Sequence, residues 1–193
     1  MKAATVLDVI TGYMDDAKDR VAPTTYNNYR YIFDSHFEPY FSSLHKQDLD
    51  SITAKDINKY YNSLRKKGLS ESTVAKHHQI LAAAFNFAKR EGVITFNVME
   101  GVKHPAEDYY EVQFYDIDQL NTLLQVAKNS SIYTEILFAV FLGLRRGEVL
   151  GLKWDSIDLE NWQVKIHMNV TPARDDTGKE TILIREKMKT KKV

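Results

Sequence analysis

Four stretches in the first hundred residues repeat apolar side chains at three- and four-residue intervals, each behind a residue able to cap a helix. That pattern commits this part of the chain to a small all-helical domain. The first stretch, residues 5–19, carries Val6, Val9, Ile10 and Tyr13. Pro23-Thr24-Thr25 opens the second, with a stripe of Tyr26, Tyr29, Ile32 and Phe33. Thr53-Ala54-Lys55-Asp56 has the spacing of a capping box, in which hydroxyl and carboxylate each satisfy a free backbone donor. It precedes Ile57, Tyr60, Tyr61 and Leu64 and a basic end, Arg65-Lys66-Lys67, closed by Gly68. Ser70-Glu71-Ser72-Thr73 caps the fourth, which carries Val74, Ile80, Leu81, Ala84, Phe85 and Phe87. The tyrosines of these stripes read as core.

The pattern then breaks. Val102-Lys103-His104-Pro105-Ala106-Glu107-Asp108 is polar, and Pro105 biases His104 away from helix, so residues 105–112 read as a linker. A second domain over 113–193 starts with a helix capped at Asp116-Ile117-Asp118-Gln119 and a strongly apolar helix over 132–142 that runs into Gly143. Past Trp154 the period changes from helical to alternating. Residues 162–168 and 181–185 read as two strands of one small sheet, with a turn-rich stretch at 175–178 between them. The fold class expected is mainly α with a small β-hairpin or sheet.

Composition excludes some functions and selects none. The 193 residues hold no cysteine, which removes disulfide and thiolate chemistry. The longest apolar run, 136–144, is too short to span a bilayer, and the N-terminus shows no signal-peptide core; both suit a cytoplasmic protein. Twenty-six basic residues balance 26 acidic ones, and the basic and acidic residues are nearly evenly divided between the two halves. Any affinity for nucleic acid therefore rests on local clusters.

The informative segment is Leu142-Gly143-Leu144-Arg145-Arg146-Gly147-Glu148, continuing through Leu152-Lys153-Trp154 to Ile157-Asp158. A helix ending at Gly143 and another starting near Arg146 place Arg145 on a rigid, partly buried corner. Its planar fork matches the two non-bridging oxygens of a phosphodiester, and Glu148 is placed to orient it. On physical grounds a plain surface pair, worth ~0.2–0.5 kcal/mol, remains open beside that reading.

This segment resembles the first conserved box of the tyrosine recombinases (phage integrases), a Gly-x-Arg-x-x-Glu core with a Leu-x-Trp-x-Asp-Ile/Leu-Asp tail. Residues 1–104 are similar to the family's SAM-like core-binding domain, including Gly68-Leu69-Ser70 through Thr73-Val74 and an ending from Asn97 to Val102-Lys103. Where that ending usually has Asn-Pro, this chain has Asn97-Val98. Residues 113–126 look like the first helix of the family's α+β catalytic domain, and Met188-Lys189-Thr190-Lys191 like its Lys-Thr hairpin. The resemblance implies that Arg145 is the first catalytic arginine, supported by Glu148, and that Lys189 is the general acid toward the leaving 5′ oxygen. For Lys189, a solvated basic strand end stays an open reading.

It also implies a partner, double-stranded DNA at an attachment or core site. The expected contacts are Thr24, Thr25, Asn27 and Arg30 at the start of the second helix. Around the start of the fourth they are Arg65, Lys66, Lys67, Ser70, Ser72, Thr73, Lys76 and His77. The alternative is that these hydroxyls only cap and the lysines are a solvated face. Neither metal nor cofactor is implied, because cationic side chains stabilise the transferring phosphoryl group. Family members cleave and rejoin DNA through a 3′-phosphotyrosyl intermediate in integrating or excising mobile elements, using a downstream His-x-x-Arg and a tyrosine. No His-x-x-Arg occurs here and all eleven tyrosines lie at or before Tyr133. The expectation is a DNA-binding portion of a longer recombinase, inactive and monomeric alone, with self-association on DNA left to the full-length protein. Two other readings remain: a standalone DNA-binding protein on the integrase fold, and a helical protein with no DNA role.

Overall fold

Side-chain caps open several of the helices. In the computed structural model, which describes residues 4–44, 49–106, 111–174 and 179–186, Thr5 precedes α1 (Val6–Ala17). Its backbone N–H donates to Asp8 Oδ2 at 2.8 Å, and Asp8 N–H returns to Thr5 Oγ1 at 3.1 Å. Thr53 and Asp56 open α4 (Ala54–Lys66) in the same reciprocal way, the Thr53 hydroxyl donating to Asp56 Oδ2 at 2.7 Å. That hydroxyl is the main reason the Asp56 carboxyl is pushed down to about 2. Pro23 occupies the first turn of α2 (Pro23–Ile32), where its missing N–H costs nothing. A wide π turn, Phe33–Phe37, carries α2 into α3 (Glu38–Phe41). Gly68, at φ +81°, ends the turn after α4, and Ser70 caps the long α5 (Glu71–Arg90).

The chain divides into two compact units, 1–110 and 111–193. In the first, α1 lies along α5, with the Tyr13 and Phe87 rings 6.3 Å apart. Around that pair a single core closes over Ile10, Phe37, Ile57, Tyr60, Tyr61, Leu64, Val74, Leu81 and Phe85, each no more than 2% exposed. Tyr60 and Tyr61 thus belong to the core, as their stripe predicts.

The second unit holds α6 (Ile117–Ala127), α7 (Tyr133–Leu142) and the short α8 (Arg146–Leu150). Asp116 and Gln119 cap α6 reciprocally. Two separate hairpins follow, β1 (Ile157–Asp158) with β2 (Gln163–Val164), and β3 (Asn169–Arg174) with β4 (Glu180–Arg185), both antiparallel. The expected single sheet is therefore two, and the strand expected over 162–168 is only two residues long. Trp162 turns at φ +54°, the Lys165 N–H donates to the Ser156 carbonyl at 2.8 Å, and the backbone then leaves the hairpin so that Met168 lies under α8. Alternation of side chains could not reveal that break. Among the described residues no helix is long and apolar enough to cross a membrane.

Candidate phosphate-gripping corner and nucleic-acid face

Gly143 ends α7 in the left-handed region at φ +63°, a conformation that favours glycine, and turns the chain through buried Leu144. Arg145 follows in extended conformation as the residue before α8. Glu148, only 6% exposed, grips it twice. The Arg145 backbone N–H donates to Oε2 at 2.9 Å and its Nη1 donates to Oε1 at 3.0 Å. The backbone bond, more than the guanidinium, holds the Glu148 carboxyl below the usual carboxylate range. The guanidinium itself is 82% exposed, so the partly buried corner expected from the sequence is corrected. What is buried is the carboxylate. One nitrogen of the fork is anchored to it, and the exposed remainder faces solvent.

Two glycines that sequence reasoning passed over hold this corner in place. A Cβ on Gly147 would lie 2.8 Å from the Val170 carbonyl oxygen and from the Asn169 amide; one on Gly151 would lie 2.8 Å from the Met168 carbonyl oxygen. Helix α8 therefore sits directly on the backbone of residues 168–170. The signal was available in the sequence. Two glycines four apart weaken a helix, and their use is close approach. Ser156 stands where the family's tail pattern has aspartate, and it is buried, its hydroxyl donating to Asp155 Oδ1 at 3.0 Å. Lys189 lies outside the described residues.

In the first unit the expected contact residues separate into three groups. Lys66, Lys67, Ser72 and Lys76 are exposed, and Thr24, Thr25, Asn27 and Arg30 are half-buried along α2. Ser70 is exposed but engaged. Its Oγ accepts the Thr73 N–H at 3.3 Å and sits 3.0 Å from the Ser72 and Thr73 hydroxyls. Arg65 is committed elsewhere: Nε and Nη2 donate to the two Glu71 oxygens at 2.5 and 2.8 Å, and Nη1 to Asn62 Oδ1 at 3.0 Å. That arginine fastens the end of α4 to the start of α5, and a phosphate would have to displace Glu71 to reach it.

His77 is a correction. It is 0% exposed and its Nδ1 lies 2.6 Å from the Tyr60 hydroxyl, so it cannot touch a ligand on the surface. Lys76 points out and His77 in because they are adjacent on α5. Val74 and Leu81, three back and four on, mark the inward stripe to which His77 belongs.

Residues 5–65 match the family model "Phage integrase, N-terminal SAM-like domain". The chain is 29% identical over 142 residues to a tyrosine recombinase XerC-like protein of Caldanaerobacter subterraneus subsp. tengcongensis, covering 69% of this chain and 36% of that one. It is 30% identical over 155 residues to the prophage integrase IntR of Escherichia coli K12, covering 70% and 38%. The chain is thus similar to tyrosine recombinases over 69–70% of its length. It spans well under half the length of these curated relatives. Its fold is that of the Tn1549 transposon integrase solved with circular intermediate DNA, at TM-score 0.72 and 21% identity over 95% of this chain and 60% of that one. It is also that of the lambda integrase solved as a tetramer on a Holliday junction, at TM-score 0.68 and 20% identity, covering 94% and 49%. That similarity gives the Gly143-x-Arg145-x-x-Glu148 corner its context.

Proposed function

We propose that this chain supplies the DNA-binding and phosphate-positioning part of a site-specific tyrosine recombinase acting in the cytoplasm on a mobile element. The observation that carries the reading is the Arg145 corner. A buried carboxylate fixes an arginine whose fork otherwise faces solvent, on a helix clamped against neighbouring backbone. Such a fork pairs with two non-bridging phosphate oxygens and stabilises charge as it grows on a pentavalent phosphate. Lys189 would protonate the leaving 5′ oxygen, and a tyrosine of the longer protein would attack the phosphate. Residues 1–104 would form the core-binding domain, with duplex DNA lying on Thr24, Thr25, Asn27 and Arg30 of α2 and on Lys66, Lys67, Ser72 and Lys76. Self-association on DNA belongs to the complete protein in this reading.

The test is duplex binding measured by fluorescence anisotropy across salt concentrations. Three exposed lysines and Arg145 neutralise about three to four phosphates, giving a log–log salt slope of about −3. Arg145→Ala should shorten that slope by roughly one. Binding unaffected by salt would remove the reading. A second reading, a DNA-binding protein that does no chemistry, is favoured by the complete core of the first unit; it predicts the same slope in wild type and no change with Arg145→Ala.

A further inference from the structure

Helices α4 and α5 are joined by two polar rungs side by side in the core of the first unit. Tyr60 Oη lies 2.6 Å from His77 Nδ1, and Tyr61 Oη lies 2.9 Å from His78 Nδ1. Each inner histidine carries a second one. His36, from the Phe33–Phe37 π turn, stands edge-on to His77 with ring centres 4.9 Å apart. His104, from the segment that leaves the unit, stands edge-on to His78 at 4.6 Å, and its Nδ1 donates to the Pro105 carbonyl oxygen at 2.7 Å. The π turn, α4, α5 and the exit segment therefore meet at four imidazoles.

The rungs suit neutral rings only. Both phenols are buried, which raises their pKa values and keeps their O–H groups as donors toward an unprotonated nitrogen. His36 Nδ1 and His77 Nε2 are buried with no hydrogen-bond partner; with the phenol donating to Nδ1 the neutral His77 already holds its proton on Nε2, so a second proton must enter at Nδ1 and displace the Tyr60 hydroxyl. The surrounding charges do not help. Lys67 acts on His36, Arg65 on Tyr61, and the neighbouring histidines on one another. Asp56 acts on Tyr40, whose ring lies tilted against Tyr60 at 4.8 Å, and is already paired with Thr53 and Lys59. Tyr31 and Phe37 add rings at the His36 and His77 edges without charge.

We propose that this ladder is an acid-operated latch, in which neutral imidazoles hold the π turn and the exit segment onto α4 and α5, and protonation releases them. The proposal concerns the first unit's own conformation and stands whether or not that unit binds DNA. Burial first, and His36 second, push the His77 pKa down to about 4, while His36 and His78 are lowered by burial too. For a histidine lowered in the fold, the stabilisation is complete above the unfolded value of 6.5 and is lost as pH falls from there toward the folded value. Carboxylates are still ionised through most of that window, which isolates the histidines.

The experiment follows the 193-residue chain from pH 7 to pH 5 by imidazole Cε1–H NMR and by amide exchange. The expected result is that His77 titrates well below the ordinary imidazole value of about 6.5 and that His36 is lowered too. Exchange in residues 33–37 and 102–106, taken relative to the unprotected amide rate at each pH, should accelerate as pH falls, by up to about tenfold per pH unit for each excluded proton. His36→Phe keeps a ring against His77 and removes one titrating group, so its acceleration should be clearly smaller. Titration of His77 at the ordinary imidazole value of about 6.5, or protection of those segments that does not change between pH 7 and 5, would overturn the latch. Both readouts come from wild type, so they decide the matter even if His36→Phe folds poorly.

Discussion

The two units solve the problem of burying apolar surface to very different degrees. The first gathers 23 buried residues into one cluster. Among the described residues of the second, the buried apolar side chains are Ala127, Leu144 and Met168. Helix α7, Tyr-Thr-Glu-Ile-Leu-Phe-Ala-Val-Phe-Leu, is apolar on nearly every face and has no buried residue. A helix of that character normally lies inside a core. Trp154, Trp162 and Phe114 are 84–90% exposed, and a groove of about 450 Å³ runs between α7 and the β1–β2 hairpin over Phe138, Phe141, Leu159 and Trp162. The first unit holds itself together by side-chain packing. The second positions Arg145 by backbone contact and one buried carboxylate, and leaves its apolar side open.

That contrast fails or holds first in the cores. Leu81→Ala should destabilise the first unit by about 2–5 kcal/mol, because the vacated space is walled by rigid neighbours. Phe141→Ala, at 71% exposure, should cost less than about 0.5 kcal/mol and make the chain more soluble. Urea unfolding of each variant is the check, and similar losses at both positions would erase the distinction.

Next in size is the backbone clamp. Gly147→Ala forces a methyl onto the Val170 carbonyl and should cost roughly 1–3 kcal/mol in the second unit. It should also weaken the salt-dependent part of DNA binding assigned to Arg145, while tyrosine-ring NMR signals of the first unit stay unchanged. The smallest effect is at the α5 cap. Ser70→Ala removes the acceptor for the Thr73 N–H and should cost about 1 kcal/mol, read as a lower urea midpoint for the first unit alone.

Much of this was legible in the sequence where local chemistry decides. Thr53, Ser70 and Asp116 each cap the helix they precede, and Gly143 ends α7 where the apolar run stops. Arg145 and Glu148 could be paired from their spacing. The misses all involve partners distant in the chain. His77 reads as part of a basic stretch until Tyr60, 17 residues away, claims its nitrogen. Arg65 reads as a phosphate contact until Glu71 fills its fork. The strand expected at 162–168 alternates correctly, yet the close seat of α8 on Met168 and Asn169 pulls it out of the hairpin. Exposure of the Arg145 fork could not be inferred either, since spacing gives a partner and not a depth.

The central claim is that DNA lies on the outer face of the first unit and at the Arg145 corner, while the apolar side of the second unit does not touch it. Amide chemical-shift mapping of the 193-residue chain with a short duplex tests it directly. The account predicts perturbations clustered at residues 24–30, 66–76 and 143–148. Shifts centred on Phe141, Leu159 and Trp162, or none that grow with added duplex, would contradict it.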